Sequence, residues 1–297
     1  MKILITGATG FIGKELIRSL QNSYNIAVLV RSSSDTSLLE TTNYEIVKFH
    51  DYEDIIDIFT NNNFVGVVHI ASNVLVEHKS SDIGHLMSSN ITFGTYLLEA
   101  SKLTNVKWFI NTGTFWQNYQ NEDYNPVNLY AATKEAFETI AKYYTETSDL
   151  IFTTIKLNDT FGPNDPRPKV FNLWNDMSKT KTVLDMSKGE QIIDISYIED
   201  VINSYIILIE HLNSNNATTF KNKTFVVSNK EKLTLNDLAA LFEEITCSKL
   251  NINWGGRDYR QREVMKPYSL GENVPNWEQQ YSLQDGIKKT LEDMNND

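Results

Sequence analysis

Tyr130 and Lys134, in the run Tyr130-Ala131-Ala132-Thr133-Lys134, are spaced so that they could do chemistry together. On a helix, residues four apart share one face. An ammonium beside a phenol favours the phenolate and lowers its pKa from about 10. A tyrosine tuned in this way can exchange a proton near neutral pH. Taken alone, the spacing also fits a solvated helix face. Thr112, eighteen residues upstream at the carboxyl end of an apolar run, adds a hydroxyl that such a site needs.

The second feature is a glycine turn near the start of the chain. The apolar run Ile3-Leu4-Ile5 reads as a strand that stops at Gly7, and Gly10 and Gly13 follow at intervals of three. Phe11, Ile12, Leu16, Ile17 and Leu20 then recur at helical spacing. Strand, glycine turn and helix form the opening of a dinucleotide-binding unit. Backbone can approach a pyrophosphate closely only without side chains, and the helix start turns free N–H groups and a positive dipole end toward it. The spacing Gly-x-x-Gly-x-x-Gly differs from the usual Gly-x-Gly-x-x-Gly, and a tight turn without ligand is the plain alternative.

These residues need a scaffold, and the rest of the sequence supplies one. Residues 25–30, 45–49, 64–72, 106–111, 151–157 and 224–228 read as short strands. Residues 85–103, 130–147, 198–211, 234–247 and a stretch from about Leu283 read as helices, with Thr234 and Asp237 as a cap. The alternation predicts an α/β fold: a Rossmann-type doubly wound parallel sheet with a smaller C-terminal α/β substrate-binding domain. The expected division is residues 1–163, with 192–230 returning to them, for the cofactor, and 164–191 with 231–297 for the substrate. The turn-rich segment around Pro166 and Pro168 is where the chain is expected to leave the first unit. The end Asn295-Asn296-Asp297 is expected to fray.

The second strand ends in Arg31-Ser32-Ser33. An acidic residue there would hold the adenosine ribose hydroxyls. A guanidinium and hydroxyls suit a 2′-phosphate instead, so NADPH/NADP is expected over NAD; a solvated arginine is the alternative. The 297 residues are 41% hydrophobic and 22% charged, enough for a core, with a net charge of −11 that argues against nucleic acid and anionic membranes. No apolar run approaches the roughly 18 residues of a membrane span, and no leader is read at the start, so a cytoplasmic protein is expected. Cys247 has no partner, and the five histidines show no metal-ligand spacing, so no metal site is expected.

Thr6-Gly7-Ala8-Thr9-Gly10-Phe11-Ile12-Gly13, Thr112, and Tyr130 with Lys134 resemble the extended short-chain dehydrogenase/reductases that modify nucleotide-sugars, the NAD-dependent epimerase/dehydratase family. The match spans nearly the whole chain, with Ser89–Thr95, Phe161–Asp165, Gly189–Gln191, Asp194 and Asp200 as later landmarks. Ile110–Trp116 and Arg260 with Glu263–Met265 look most like the CDP-abequose and CDP-paratose synthases of that family.

The resemblance implies roles. Gly7, Thr9, Gly10, Phe11 and Ile12 would meet the pyrophosphate, Arg31 and Ser32 the 2′-phosphate, and Asp51 and Tyr52 the adenine. Ile70, Ala71, Ser72 and Leu157 would line the cofactor. Lys134 would hold the nicotinamide ribose and tune Tyr130, while Thr112 and Tyr130 would hydrogen-bond the sugar carbonyl. Asn158, Lys169 and Arg260 would bind the substrate, with Arg260 on the diphosphate.

Departures narrow the reading. Related dehydratases carry an Asp-Glu pair directly after the threonine; Gly113-Thr114 stand here, so 4,6-dehydration is not expected. Asp159 replaces a frequent Asn, and Ile193 replaces an arginine; Lys169, Arg257 and Arg262 are candidates for the missing phosphate contact. Trp116 either lines the sugar or packs, Asn90 either relays a proton or bonds backbone, and His69 reads as structural. The expected activity is NADPH-dependent reduction of a nucleotide-linked 4-keto-6-deoxy or 3,6-dideoxy hexose for surface polysaccharide. The alternatives are a 4-epimerase retaining NAD and a non-catalytic cofactor sensor. A homodimer is expected, through helices 85–103 and 130–147.

Overall fold

The computed structural model describes residues 1–37, 39 and 43–294, so the expected frayed end lies outside the described residues. The first half alternates strictly. Strand β1 (Lys2–Thr6) leads through the glycine turn to α1 (Phe11–Leu20), then β2 (Asn25–Arg31), β3 (Tyr44–Phe49), α2 (Asp54–Thr60) and β4 (Phe64–His69). A long helical stretch follows as α3 (Ile83–Met87), a π-helical turn over Ser88–Thr92, and α4 (Phe93–Leu103). Next come β5 (Trp108–Thr114), α5 (Leu129–Glu146), β6 (Ile151–Leu157), β7 (Asp159–Phe161) and α6 (Val170–Thr180).

The second half is built of shorter pieces: β8 (Leu184–Met186), β9 (Ile192–Ile193), β10 (Ile195–Tyr197), then α7 (Ile198–Leu212) and β11 (Lys223–Val227). It ends with β12 (Leu233–Thr234), α8 (Leu235–Thr246), β13 (Ile252–Trp254), β14 (Glu272–Asn273) and α9 (Leu283–Met294).

Eight strands make one sheet in the order β14-β11-β6-β5-β4-β1-β2-β3, with parallel pairing throughout. Ile3, Leu4 and Ile5 of β1 are wholly buried, as a central strand covered on both faces requires. One apolar layer packs α1 and α7 on one face, through residues such as Leu16, Val201 and Leu208. The other packs α2, α4 and α5, through Ile55, Leu97, Phe137 and Ala141. The sheet is therefore the doubly wound α/β type. The chain runs outward from β1 through β2 and β3, then crosses to β4 on the other side. The crevice at the carboxyl ends of β1 and β4 is the topological switch point where such sheets bind ligands.

Some boundaries differ from the sequence reading, for local reasons. β4 stops at His69, not at residue 72, because side chains take over the backbone: Ala71 N–H reaches Thr6 Oγ1 and Asn73 N–H reaches Asn90 Oδ1. β5 continues to Thr114 because β6 pairs with it up to Leu157. The segment after Pro168 forms α6, whose Phe171, Trp174 and Met177 are buried beside Phe242 of α8; a turn-rich entry concealed it. The Thr234 cap forms as expected, with Asp237 N–H donating to Thr234 Oγ1. Two acidic landmarks are clamps: Asp194 accepts from Ser228 and Asn229, and Asp200 accepts from the backbone of Gln280 and Tyr281.

Candidate active site

Three cavities open in a row along the switch point. The first is a groove of 420 Å³ along the glycine turn. The second, of 150 Å³, holds Tyr130, and the third is an outer groove of 540 Å³ that holds Arg260. They are continuous. Ile12, Ile70, Ser72, Val74 and Arg167 border the first two, and Phe115, Trp116 and Asp159 border the last two.

The first groove begins at the turn after β1. Gly7 has φ +77°, and a Cβ there would lie 2.6 Å from the Ala71 nitrogen; a Cβ on Gly13 would enter the Gly7 carbonyl. Only glycine lets the turn close against the loop after β4. α1 starts at Gly10 with no side-chain cap and no acidic residue in its first turn, so its leading N–H groups face the groove unpaired. Gly7, Thr9, Gly10, Phe11, Ile12, Arg31, Ile70, Ala71 and Ser72 all line it. No carboxylate does so among the described residues, whereas Arg31, His85 and Arg167 do. Arg31 Nη2 donates to Ser89 Oγ at 2.8 Å, which aims the guanidinium along the groove floor.

Three residues expected at the cofactor lie outside the lining of this groove. The Ser32 hydroxyl donates to the Phe49 carbonyl, and Ser34 lines the groove in its place. Asp51 is exposed and outside the lining, with its backbone N–H bonded to Asp54. Tyr52 stacks on Phe49, Phe93 and Tyr96 and is tied to Ser88, so Phe49 and Phe93 form the wall instead. No local pattern of residues signals this, because the π turn at 88–92 is what rotates Ser89 to Arg31 and Asn90 to Ser72.

Tyr130 sits at the N-terminus of α5, where Asn128 caps the helix by accepting from Ala131 N–H. It is 8% exposed and its ring meets Trp116 edge-on. Ser72 and Thr114 line the same cavity, and their hydroxyls act on the phenol to lower its pKa. Thr112 lines it too, and its Oγ1 bonds the Tyr205 hydroxyl of α7 at 2.7 Å. Thr114, at the last position of β5, lines the cavity beside it. The residues that follow it, Phe115 and Trp116, are apolar, so the acid–base pair for dehydration is absent in this register too.

Lys134, one turn further along α5, is buried, with Nζ 3.5 Å from Asn111 Oδ1. Burial pushes its pKa down to about 8, partly opposed by the Glu138 carboxylate. Burial likewise pushes Tyr130 up to about 12, against the Ser72 and Thr114 hydrogen bonds. The sequence reading expected Lys134 to lower the phenol pKa; in this structure desolvation outweighs any such help, and the phenol is held neutral. Asn90 carries no spare proton path, since both ends of its amide are used: Oδ1 accepts from Ser72 and Asn73, and Nδ2 donates to Asn73 and Thr133.

Leu157, Asn158 and Lys169 line the Tyr130 cavity. Asn158 Nδ2 donates to the Val227 carbonyl, leaving Oδ1 buried without a partner. Lys169 pairs with Asp159 at 2.6 Å, so the departure at Asp159 is balanced within the site. Trp116 lines the cavity rather than packing away from it. Arg260 and Arg257 line the outer groove, with Arg260 3.9 Å from Glu77. Arg262 stacks over Tyr119, donates to Asn125 Oδ1, and keeps a buried Nε without a partner. Among the described residues no group of His, Cys, Asp and Glu is arranged to hold a metal. No helix among them is long and apolar enough to cross a membrane.

His69 is wholly buried among Phe93, Phe109 and Phe137, with Nδ1 2.8 Å from Thr6 Oγ1. Burial and then Lys134 push its pKa well below the usual 6.5. The unfolded chain takes up a proton near pH 6.5 that the folded chain refuses, so stability is lost as pH falls below that value. The expected loss reaches about 1.4 kcal/mol per pH unit. Denaturant unfolding of wild type and His69→Asn at pH 7.5 and 5.5 should show a steeper acid decline in wild type. Parallel declines would place the acid sensitivity elsewhere.

A switch-point groove of this kind, with a glycine turn, an uncapped helix start and a Tyr–Lys pair, defines the dinucleotide-dependent enzymes of the doubly wound α/β class. A profile of the NAD dependent epimerase/dehydratase family matches residues 3–227, and the chain belongs to that family. It is 27% identical over 295 residues to a CDP-abequose synthase of Salmonella muenchen, covering 98% of this chain and 97% of that one. A CDP-abequose synthase of Yersinia pseudotuberculosis is 25% identical over 275 residues, covering 92% and 94%. In fold it is similar to the UDP-glucose 4-epimerase of Thermotoga maritima, with a TM-score of 0.86 at 23% identity over 100% of this chain and 99% of that one.

Proposed function

We propose that the chain is an NADPH-dependent 4-ketoreductase of a nucleotide-linked deoxyhexose. The observation that carries this reading is the placement of Tyr130 in a small cavity that meets a carboxylate-free dinucleotide groove. Reduction of a ketone needs a proton donor at the carbonyl oxygen, and a phenol with its proton held on is that donor.

The residues fit the cofactor. The Gly7–Gly13 turn and the open start of α1 suit a pyrophosphate, and Arg31, held by Ser89, suits a 2′-phosphate. A reduced nicotinamide, when bound, supplies the hydride. Everything else is done by this chain. Lys134 holds the ribose. Thr114 and Tyr130 grip the carbonyl oxygen, and Tyr130 gives it a proton. Trp116, Phe115 and Leu157 wall the sugar with apolar surface, which suits a hexose that has lost hydroxyls. Asn158 Oδ1 offers the sugar cavity an acceptor. Arg260 and the free Nε of Arg262 serve the diphosphate in the outer groove, where Arg262 stands in for the arginine that Ile193 replaces. The segments 164–191 and 231–297 form the substrate side.

The curated relatives matched over nearly the full chain support a CDP-linked substrate. Incubation with CDP-, dTDP-, UDP- and GDP-linked 4-keto sugars should consume NADPH absorbance fastest with the CDP sugar. Interconversion of a sugar pair with tightly held NAD and no NADPH loss would overturn the reading in favour of a 4-epimerase.

A further inference from the structure

Beneath the Tyr130 cavity lies a polar cluster that the reaction above does not use. Its centre is Glu138, one helical turn beyond Lys134 on α5 and half-buried. A single carboxylate oxygen, Oε1, accepts from Asn111 Nδ2 at 3.3 Å and from Gln117 Nε2 at 3.0 Å. Each donor leads to a different residue of the candidate site. The Asn111 carbonyl oxygen takes the Lys134 ammonium, and the Gln117 carbonyl oxygen takes the Thr114 backbone N–H at 2.9 Å. Gln117 also donates to Glu135 at 2.7 Å.

We propose that Glu138 is a positioning residue, its charge and its one shared oxygen holding Lys134 and Thr114 in register with one another through Asn111 and Gln117. The inference rests on the reading that Lys134 lies at the cofactor ribose. Without Glu138, Asn111 and Gln117 would each lose one of two acceptors, keeping only Thr154 Oγ1 at 3.2 Å and Glu135, and both amides would be held less firmly. The charged groups that face Glu138 are Lys134 and Glu135 on α5 and Lys156 on β6, the last buried with Nζ on Asn118 Oδ1 at 2.7 Å. Burial raises the Glu138 pKa above the usual carboxylate range, opposed by Lys156, Gln117 and Lys134 and reinforced by Glu135. In return the carboxylate holds the Lys134 proton on.

Two substitutions separate charge from shape. Glu138→Gln keeps an acceptor where Asn111 and Gln117 donate and removes only the charge; Glu138→Leu removes both. NADPH binding to the full-length chain, followed by nicotinamide fluorescence from pH 6 to 9.5, is the readout. In wild type the affinity should fall as Lys134 loses its proton. In Glu138→Gln that fall should move about one unit toward acid. In Glu138→Leu it should move likewise, and turnover should drop about tenfold further as Thr114 drifts. A Glu138→Gln profile identical to wild type overturns the inference while leaving the reductase reading intact. Failure of wild type to bind NADPH or NADH at any pH removes both.

Discussion

Replacing Tyr130 by Phe should lower kcat for the ketone reduction by on the order of 10² to 10⁴-fold, the usual worth of a positioned general acid. NADPH affinity should hold, because the hydroxyl removed faces the Ser72 and Thr114 side chains and the Tyr130 cavity rather than the glycine turn. The ring itself is retained, so the edge contact with Trp116 and the packing of α5 survive. Thr114→Val should follow with a smaller loss, and Thr112→Val should cost least, because its hydroxyl serves Tyr205. Rapid-quench measurement of product, with circular dichroism as the check on folding, reads all three. A Thr112→Val loss larger than that of Thr114→Val would return the catalytic threonine to position 112. The pH profile carries a sign as well. The acid form of the phenol persists to about 12 and the Lys134 ammonium to about 8. Reduction should therefore be level below pH 8 and decline above it, whereas a site working through phenolate would gain activity as pH rises.

Arg31→Asp should raise the NADPH Michaelis constant by about 10- to 100-fold while changing that for NADH much less. A hydrogen bond to a charged group contributes about 1.5–3 kcal/mol, and each 1.4 kcal/mol is a factor of ten. The carboxylate would also repel a 2′-phosphate while suiting ribose hydroxyls. The structure sharpens this expectation, since no carboxylate lines the groove among the described residues and Ser89 holds the guanidinium at 2.8 Å. Ser89→Ala should reproduce a weaker form of the same preference loss. Initial rates with both cofactors test it, and equal shifts for NADPH and NADH would remove the 2′-phosphate assignment.

Much of the fold was legible in the residues themselves. Apolar runs such as Ile3-Leu4-Ile5 and the wholly buried Val67-Val68 mark strands covered on both faces. The glycine spacing marked the switch point, and the Thr234 cap marked the start of α8. Short elements were harder to see. α2 has seven residues with two buried side chains, too few for a period to show. α6 was hidden because prolines read as exit signals while Phe171 and Trp174 found partners only across the chain.

In the site, the types of residue were determined by the sequence and their pairing by the tertiary structure. The Tyr130–Lys134 spacing, the glycine turn and Arg31 at the end of β2 are local facts, set by helical period, backbone sterics and strand length. Which threonines line the Tyr130 cavity depends on how far β6 extends β5, and that pairing carries Thr114 into it beside Thr112. Whether the phenol holds its proton depends on how much water the packed walls exclude, and desolvation is a property of neighbours far apart in the chain. The π turn that brings Ser89 and Asn90 to the groove, and the Glu138 cluster below it, likewise exist only once β4, β5 and α5 are packed together.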